Sequence, residues 1–110
     1  MSGIVSVYVI FADADEASRI GRAMIEARLA ACVNILGPCR SIYRWQDAVE
    51  ESAEVPAIFK TTAEAADALV AAIAKAHSYE VPAVVVWPID RALPTYAEWV
   101  AESATGSKVP

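Results

Sequence analysis

No stretch narrows the fold so much as residues 4–11, which read Ile-Val-Ser-Val-Tyr-Val-Ile-Phe. Successive strand side chains alternate between faces, so Val5, Val7, Val9 and Phe11 share one side while Ile4, Tyr8 and Ile10 share the other. A strand apolar on both sides cannot lie on a sheet with one face in water. Residues 83–89 (AVVVWPI), a near-continuous apolar run bounded by prolines, repeat the demand. Both faces of the sheet therefore need cover.

Between these strands the periodicity changes. Asp13 followed by Glu16 has capping-box spacing, and Ile20, Met24, Ala27 and Ala31 recur at helical intervals, which predicts a helix over 14–30. Residues 31–46 return to β-forming types and predict one long strand, bent where Gly37-Pro38 interrupts it. The polar run 46–54 (QDAVEESAE) reads as a hairpin loop, and Val55 to Lys60 as the next strand, with Pro56 near its start. Thr61 and Glu64 repeat the capping spacing, and Ala66, Leu69, Val70, Ile73 and His77 share a helical face, so a second helix is expected over 63–76. A short helix starts at Pro94-Thr95, with Tyr96, Trp99 and Val100 on one side, and the tail after Ser103 is expected to fray. The order β-α-β-β-α-β plus a terminal helix makes 1–110 one α+β domain of ferredoxin-like plan, an antiparallel sheet with two helices on one face. The other face is left for a partner. Symmetric homo-oligomers dominate among soluble proteins, so a copy of the same chain is the economical choice.

Charge and cysteine usage exclude several classes. Nine Lys and Arg against fourteen Asp and Glu give a net charge of −5, so no basic stripe offers itself to a phosphate backbone and nucleic acid is excluded as a partner. The run from Val81 to Ile89 is far short of the ~20 residues of a membrane span, and no membrane partner is expected. The apolar start ends in Ala12-Asp13-Ala14, which imitates a signal-peptidase site, but no Lys or Arg precedes it. Cys32 and Cys39 match neither a zinc site nor a disulfide framework, and read as reduced thiols of a cytoplasmic protein. Nucleophile-elbow, zinc-protease and phosphate-loop motifs are absent, which argues against an enzyme.

Five segments together, ARLAACVN (27–34), SIYRW (41–45), IFKTT (58–62), HSYEVP (77–82) and YAEW (96–99), resemble the signatures of the CutA divalent-cation tolerance family over nearly the whole chain. The resemblance implies a ferredoxin-like homotrimer linked to tolerance of divalent cations, chiefly copper. The chain departs from that pattern at the positions tied to copper. Phe11 stands where a Cys is implicated near the end of the first strand, and of a His pair only His77 is kept, beside Ala76. Pro82-Ala83 replaces Pro-Glu, and a Gly usual after the Trp of SIYRW is replaced near Asp47.

His77, Cys32 and Cys39 are the candidate ligands for copper or another divalent cation, with no cofactor required otherwise. His77 can equally cap helix carbonyls, and Cys32 can be a small core hydrophobe. The carboxylates Glu50, Glu51 and Glu54 suit a hard cation or plain solvation. Lys60 ends an apolar strand near Tyr43 and Trp45, and an ammonium there calls for an anionic partner. It is expected to line an inter-subunit cleft with Tyr43, Trp45 and Tyr79 for a small anion, or to pair with Glu54. A PII-like signalling trimer that binds small molecules, and a trimeric scaffold for another protein, are the competing readings.

Overall fold

The computed structural model describes residues 1–106. In chain order the elements are β1 (Ile4–Phe11), α1 (Ala14–Glu26), β2 (Cys32–Ile35), β3 (Cys39–Trp45), β4 (Ala48–Thr62), α2 (Ala66–Ala76), β5 (Val84–Pro88) and α3 (Pro94–Ser103). The sheet runs β2-β4-β1-β5, with β3 also paired to β4, and every pairing is antiparallel. This is the ferredoxin-like arrangement. Val5, Val7, Val9 and Phe11 of β1 join Phe59 in a core closed by Ile20 of α1 and by Leu69 and Ile73 of α2.

The opposite sheet face is covered in part by the chain itself. Val100 and Ala104, at the end of α3, pack on Ile4 and Ala31. The sequence left this face wholly to a partner and expected the chain to fray after Ser103. Instead Ala104 is buried and the Gly106 amide donates to the Arg28 carbonyl at 2.9 Å. The remaining tail lies outside the described residues. Beyond α3 the face stays open: Tyr8 stacks on Trp87 with centroids 4.9 Å apart, and Val85 and Trp87 are 44% and 48% exposed. In a single chain no residue of β5 is buried: Val84 is half-buried and the other four are exposed.

The long bent strand is two strands on one partner. Ile35 lies opposite Ala57 and Cys39 opposite Glu54, so residues 36–38 face only 55 and 56. The extra residue is a bulge at Gly37-Pro38, which bends the strand as its composition suggested. The expected loop over 46–54 is corrected to Gln46-Asp47 alone. Their φ angles of 50° and 66° form a two-residue turn of the left-handed kind that matches strand twist, and Ala48 onward already pairs with β3. Polar residues misled because this hairpin is solvated along much of its length.

Helix ends also move. The capping box at α1 forms: Asp13 Oδ1 accepts from the Glu16 amide at 2.8 Å, while the Glu16 carboxylate reaches the Ala12 amide at 2.9 Å. The helix stops at Glu26, before Arg28 turns left-handed at φ 60°. Ahead of α2, Thr62 Oγ1 accepts from the Ala65 amide at 3.0 Å and closes the preceding turn, while Ala65, at the N-cap position, brings no side-chain cap. Thr61 is buried and donates to the Leu29 carbonyl at 2.7 Å instead, and the helix begins only at Ala66.

Candidate functional site

The 15 residues of β4 do two jobs. Residues 55–62 pair with β1, whereas 48–54 pair with β3 alone, so the β3–β4 hairpin projects beyond the sheet as an arm. Alternation gives the arm two unlike sides. Ser41, Tyr43 and Trp45 stand opposite Ser52, Glu50 and Ala48 on one side, with Glu54 beside them. Arg40, Ile42 and Arg44 occupy the other, where Arg40 meets Glu51 at 3.4 Å. One side is aromatic and acidic; the basic groups are on its back.

The segment 77–83 that faces the arm is pinned by buried polar groups. The His77 ring is shut off from solvent and stacks on Phe11, centroids 5.3 Å apart. Its Nε2–H donates to the Ile10 carbonyl at 2.8 Å, and its Nδ1 accepts from the Tyr79 amide at 3.1 Å. Glu16 Oε2 accepts from the Ser78 amide at 2.9 Å, and Oε1 stands 3.9 Å from the imidazole. Burial by itself would raise the Glu16 carboxyl, but hydrogen bonds from Ser78 and Ala12, aided by His77, outweigh it and hold the group below its ordinary value. Anchored this way, Tyr79 donates its hydroxyl to Glu54 Oε2 at 2.6 Å. Burial first, then Glu54, pushes the Tyr79 phenol well above its ordinary value, so it remains a donor to a charged acceptor.

Between arm and segment lies a cleft of about 500 Å³, walled by Tyr43, Trp45, Tyr79, Glu50, Glu54 and Glu80 over an apolar floor of Ile10 and Ala83. Tyr43, Trp45 and Tyr79 line this cleft together within one chain. Lys60 does not join them within one chain. It sits in a cross-strand row between Cys32 and Ser6, six residues from Glu54 along β4, or about 20 Å at the usual rise of a strand. No ion pair links Lys60 to Glu54 among the described residues. The cleft wall carries three carboxylates and no basic group, the opposite sign from the anion pocket anticipated. Glu80 was not singled out from the sequence, and Glu54 only as part of an acidic loop and as a partner for Lys60; the signal lay in Glu50, Ser52 and Glu54 alternating across from Tyr43 and Ser41.

The three candidate metal ligands are not brought together. Cys32 and Cys39, both free thiols, face Lys60 and Glu54 at separate points of β4. Cys32 Sγ contacts the Tyr96 hydroxyl at 3.6 Å, and burial together with that contact pushes the phenol up to about 12. Cys39 Sγ lies 3.6 Å from the Ser41 hydroxyl. Both His77 nitrogens are engaged in hydrogen bonds, so the ring has no lone pair to offer. Among the described residues no group of three His, Cys, Asp or Glu side chains could hold a metal ion. A copper site of His77, Cys32 and Cys39 within one chain does not fit this geometry.

The family model of the CutA1 divalent ion tolerance protein matches residues 5–103. The divalent-cation tolerance protein CutA of Thermus thermophilus is 40% identical over 98 residues, covering 88% of this chain and 95% of that protein. Protein CutA of Mus musculus is 37% identical over 99 residues, covering 86% of this chain but 56% of that protein. For Protein CutA of Homo sapiens the identity is 38% over 86 residues, covering 78% and 48%. The chain thus spans about half the length of these mammalian relatives. Among solved structures, the periplasmic divalent cation tolerance protein CutA from Archaeoglobus fulgidus superposes with a TM-score of 0.89 at 32% identity, covering 92% of this chain and 98% of that one. The Thermus thermophilus Cut A1 structure gives 0.88 at 37% identity, with 92% and 98% covered. Among the described residues no helix is long and apolar enough to cross a membrane.

Proposed function

The chain belongs to the CutA1 divalent ion tolerance protein family, and from that premise we propose that it works as a non-catalytic homotrimer of the cytoplasm that meets copper or another divalent cation weakly. One observation carries the assembly: Tyr8, Val85 and Trp87 form an apolar sheet face that α3 leaves uncovered. An isolated chain would hold those side chains in water; a second and third copy would bury them. The cation contact falls to the half-exposed thiols of Cys32 and Cys39, which suit soft Cu(I) or a thiophilic divalent ion. Unpaired thiols also support a reducing compartment.

Sedimentation velocity combined with copper titration calorimetry tests both parts. The expected result is a trimer at micromolar concentration with weak binding that disappears in a Cys32→Ser, Cys39→Ser double variant. A stable folded monomer sinks the assembly. Tight stoichiometric copper binding that survives loss of both thiols sinks the assignment of the ligands.

A further inference from the structure

The cleft between the β3–β4 arm and residues 77–83 points to a ligand class quite apart from copper. We propose that it binds a small organic cation with N–H donors, a guanidinium or ammonium group seated between the rings of Tyr43, Trp45 and Tyr79 and held by Glu54. The central observation is the state of Glu54. The residue is 7% exposed, yet its carboxylate receives one hydrogen bond, from Tyr79 to Oε2. No Lys, Arg, His or amino terminus pairs with it among the described residues. With Oε2 taken by Tyr79 and no buried side-chain oxygen left without a partner among the described residues, Oε1 is the oxygen still open to a donor entering the cleft.

The surroundings say what would satisfy it. Glu50 and Glu80 lie exposed on the same cleft wall, so the field inside is negative and the apolar floor concentrates it. Tyr43 and Trp45 are 38% and 39% exposed, offering ring faces of the kind that attract cations and stack on guanidinium planes. A bare metal ion has no use for indole and phenol faces, and the carboxylates here are not grouped closely enough to cage one. A volume of about 500 Å³ is in the range of sites for small organic ligands. The basic residues of the arm are no substitute, since alternation puts Arg40 and Arg44 on its far side.

The test uses the whole protein in its native assembly, with methylguanidinium and methylammonium as cations and methylurea as the neutral counterpart of the first. Thermal stability and the NMR signal of the Trp45 indole are read together. Both cations should raise the melting temperature in a saturable way and shift the Trp45 signal, while methylurea does neither. Glu54→Gln retains an acceptor for the Tyr79 hydroxyl but removes the charge, and should weaken cation binding at least tenfold. Should that variant fail to fold, Trp45→Leu and Glu50→Gln, at exposed positions, should each weaken it several-fold. Equal effects of methylurea and methylguanidinium, undiminished binding in the variants, or stabilisation by Mg²⁺ or Cu²⁺ with none by the organic cations would overturn the proposal.

Discussion

Glu16 ties three segments with one side chain: it caps α1 at Ala12, holds the Ser78 amide after α2 and faces His77. Because its carboxyl is held below 4.5 in the folded state, the contribution is full above the unfolded value and is lost as pH falls through the folded one. Glu16→Gln should therefore destabilise by about 1.5–3 kcal/mol at pH 7, the usual range for hydrogen bonds to a charged group. Denaturant unfolding at pH 7 and at successively lower pH checks this, since the gap between variant and parent should narrow as the carboxylate protonates in the folded state. Thr61 supplies a second test of the same kind. Its hydroxyl donates to the Leu29 carbonyl in a fully buried place, so Thr61→Val should lose about 1–2 kcal/mol by leaving that acceptor unsatisfied. No loss in either variant would mean that water substitutes for the missing group.

Among the elements, the β3–β4 arm depends on a turn whose residues are poorly suited to it. Gln46 and Asp47 both adopt positive φ, a conformation glycine takes without a Cβ clash. Asp47→Gly should stabilise the protein by roughly 0.5–1 kcal/mol, because relief of strain outweighs the added freedom of the unfolded chain. A rise in melting temperature with unchanged cleft residues is the expected outcome; a fall would show that the Asp side chain contributes more to the turn than its strain removes. Much of this arm was legible in advance. Gly37-Pro38 marked the bulge, and Tyr43 and Trp45 marked an aromatic side. The polar run 46–54 hid the strand because an arm with two solvated sides lacks the apolar alternation by which strands are recognised.

For the whole molecule the open sheet face is decisive. Val85 neighbours Tyr8 across the β1–β5 pairing and is 44% exposed in the single chain. Val85→Asp should leave the fold intact, since the site borders solvent within one protomer, but should convert the assembly to monomers by placing an unpaired charge in the contact. Sedimentation of that variant is the measurement, and an unchanged trimer would place the contact elsewhere. Two-sided strands announced the uncovered face from composition alone. That α3 would return to cover one end of it was not announced, because Val100 and Ala104 show only a helical stripe and not which surface the stripe meets.

The sequence by itself determined most of the element order, the core faces of β1, α1 and α2, and the family, because periodicity, capping and turn chemistry act over a few neighbouring residues. The tertiary structure decided which distant side chains meet. Lys60 and Glu54 share one side of β4 by parity, yet six residues of extended chain separate them, and only strand register and the Gly37-Pro38 bulge assign the aromatic rings to the carboxylate rather than to the amine. His77 had the chemistry of a metal ligand until folding placed Ile10 and Tyr79 against its two nitrogens. Such contacts depend on how elements pack in three dimensions, which no local spacing encodes.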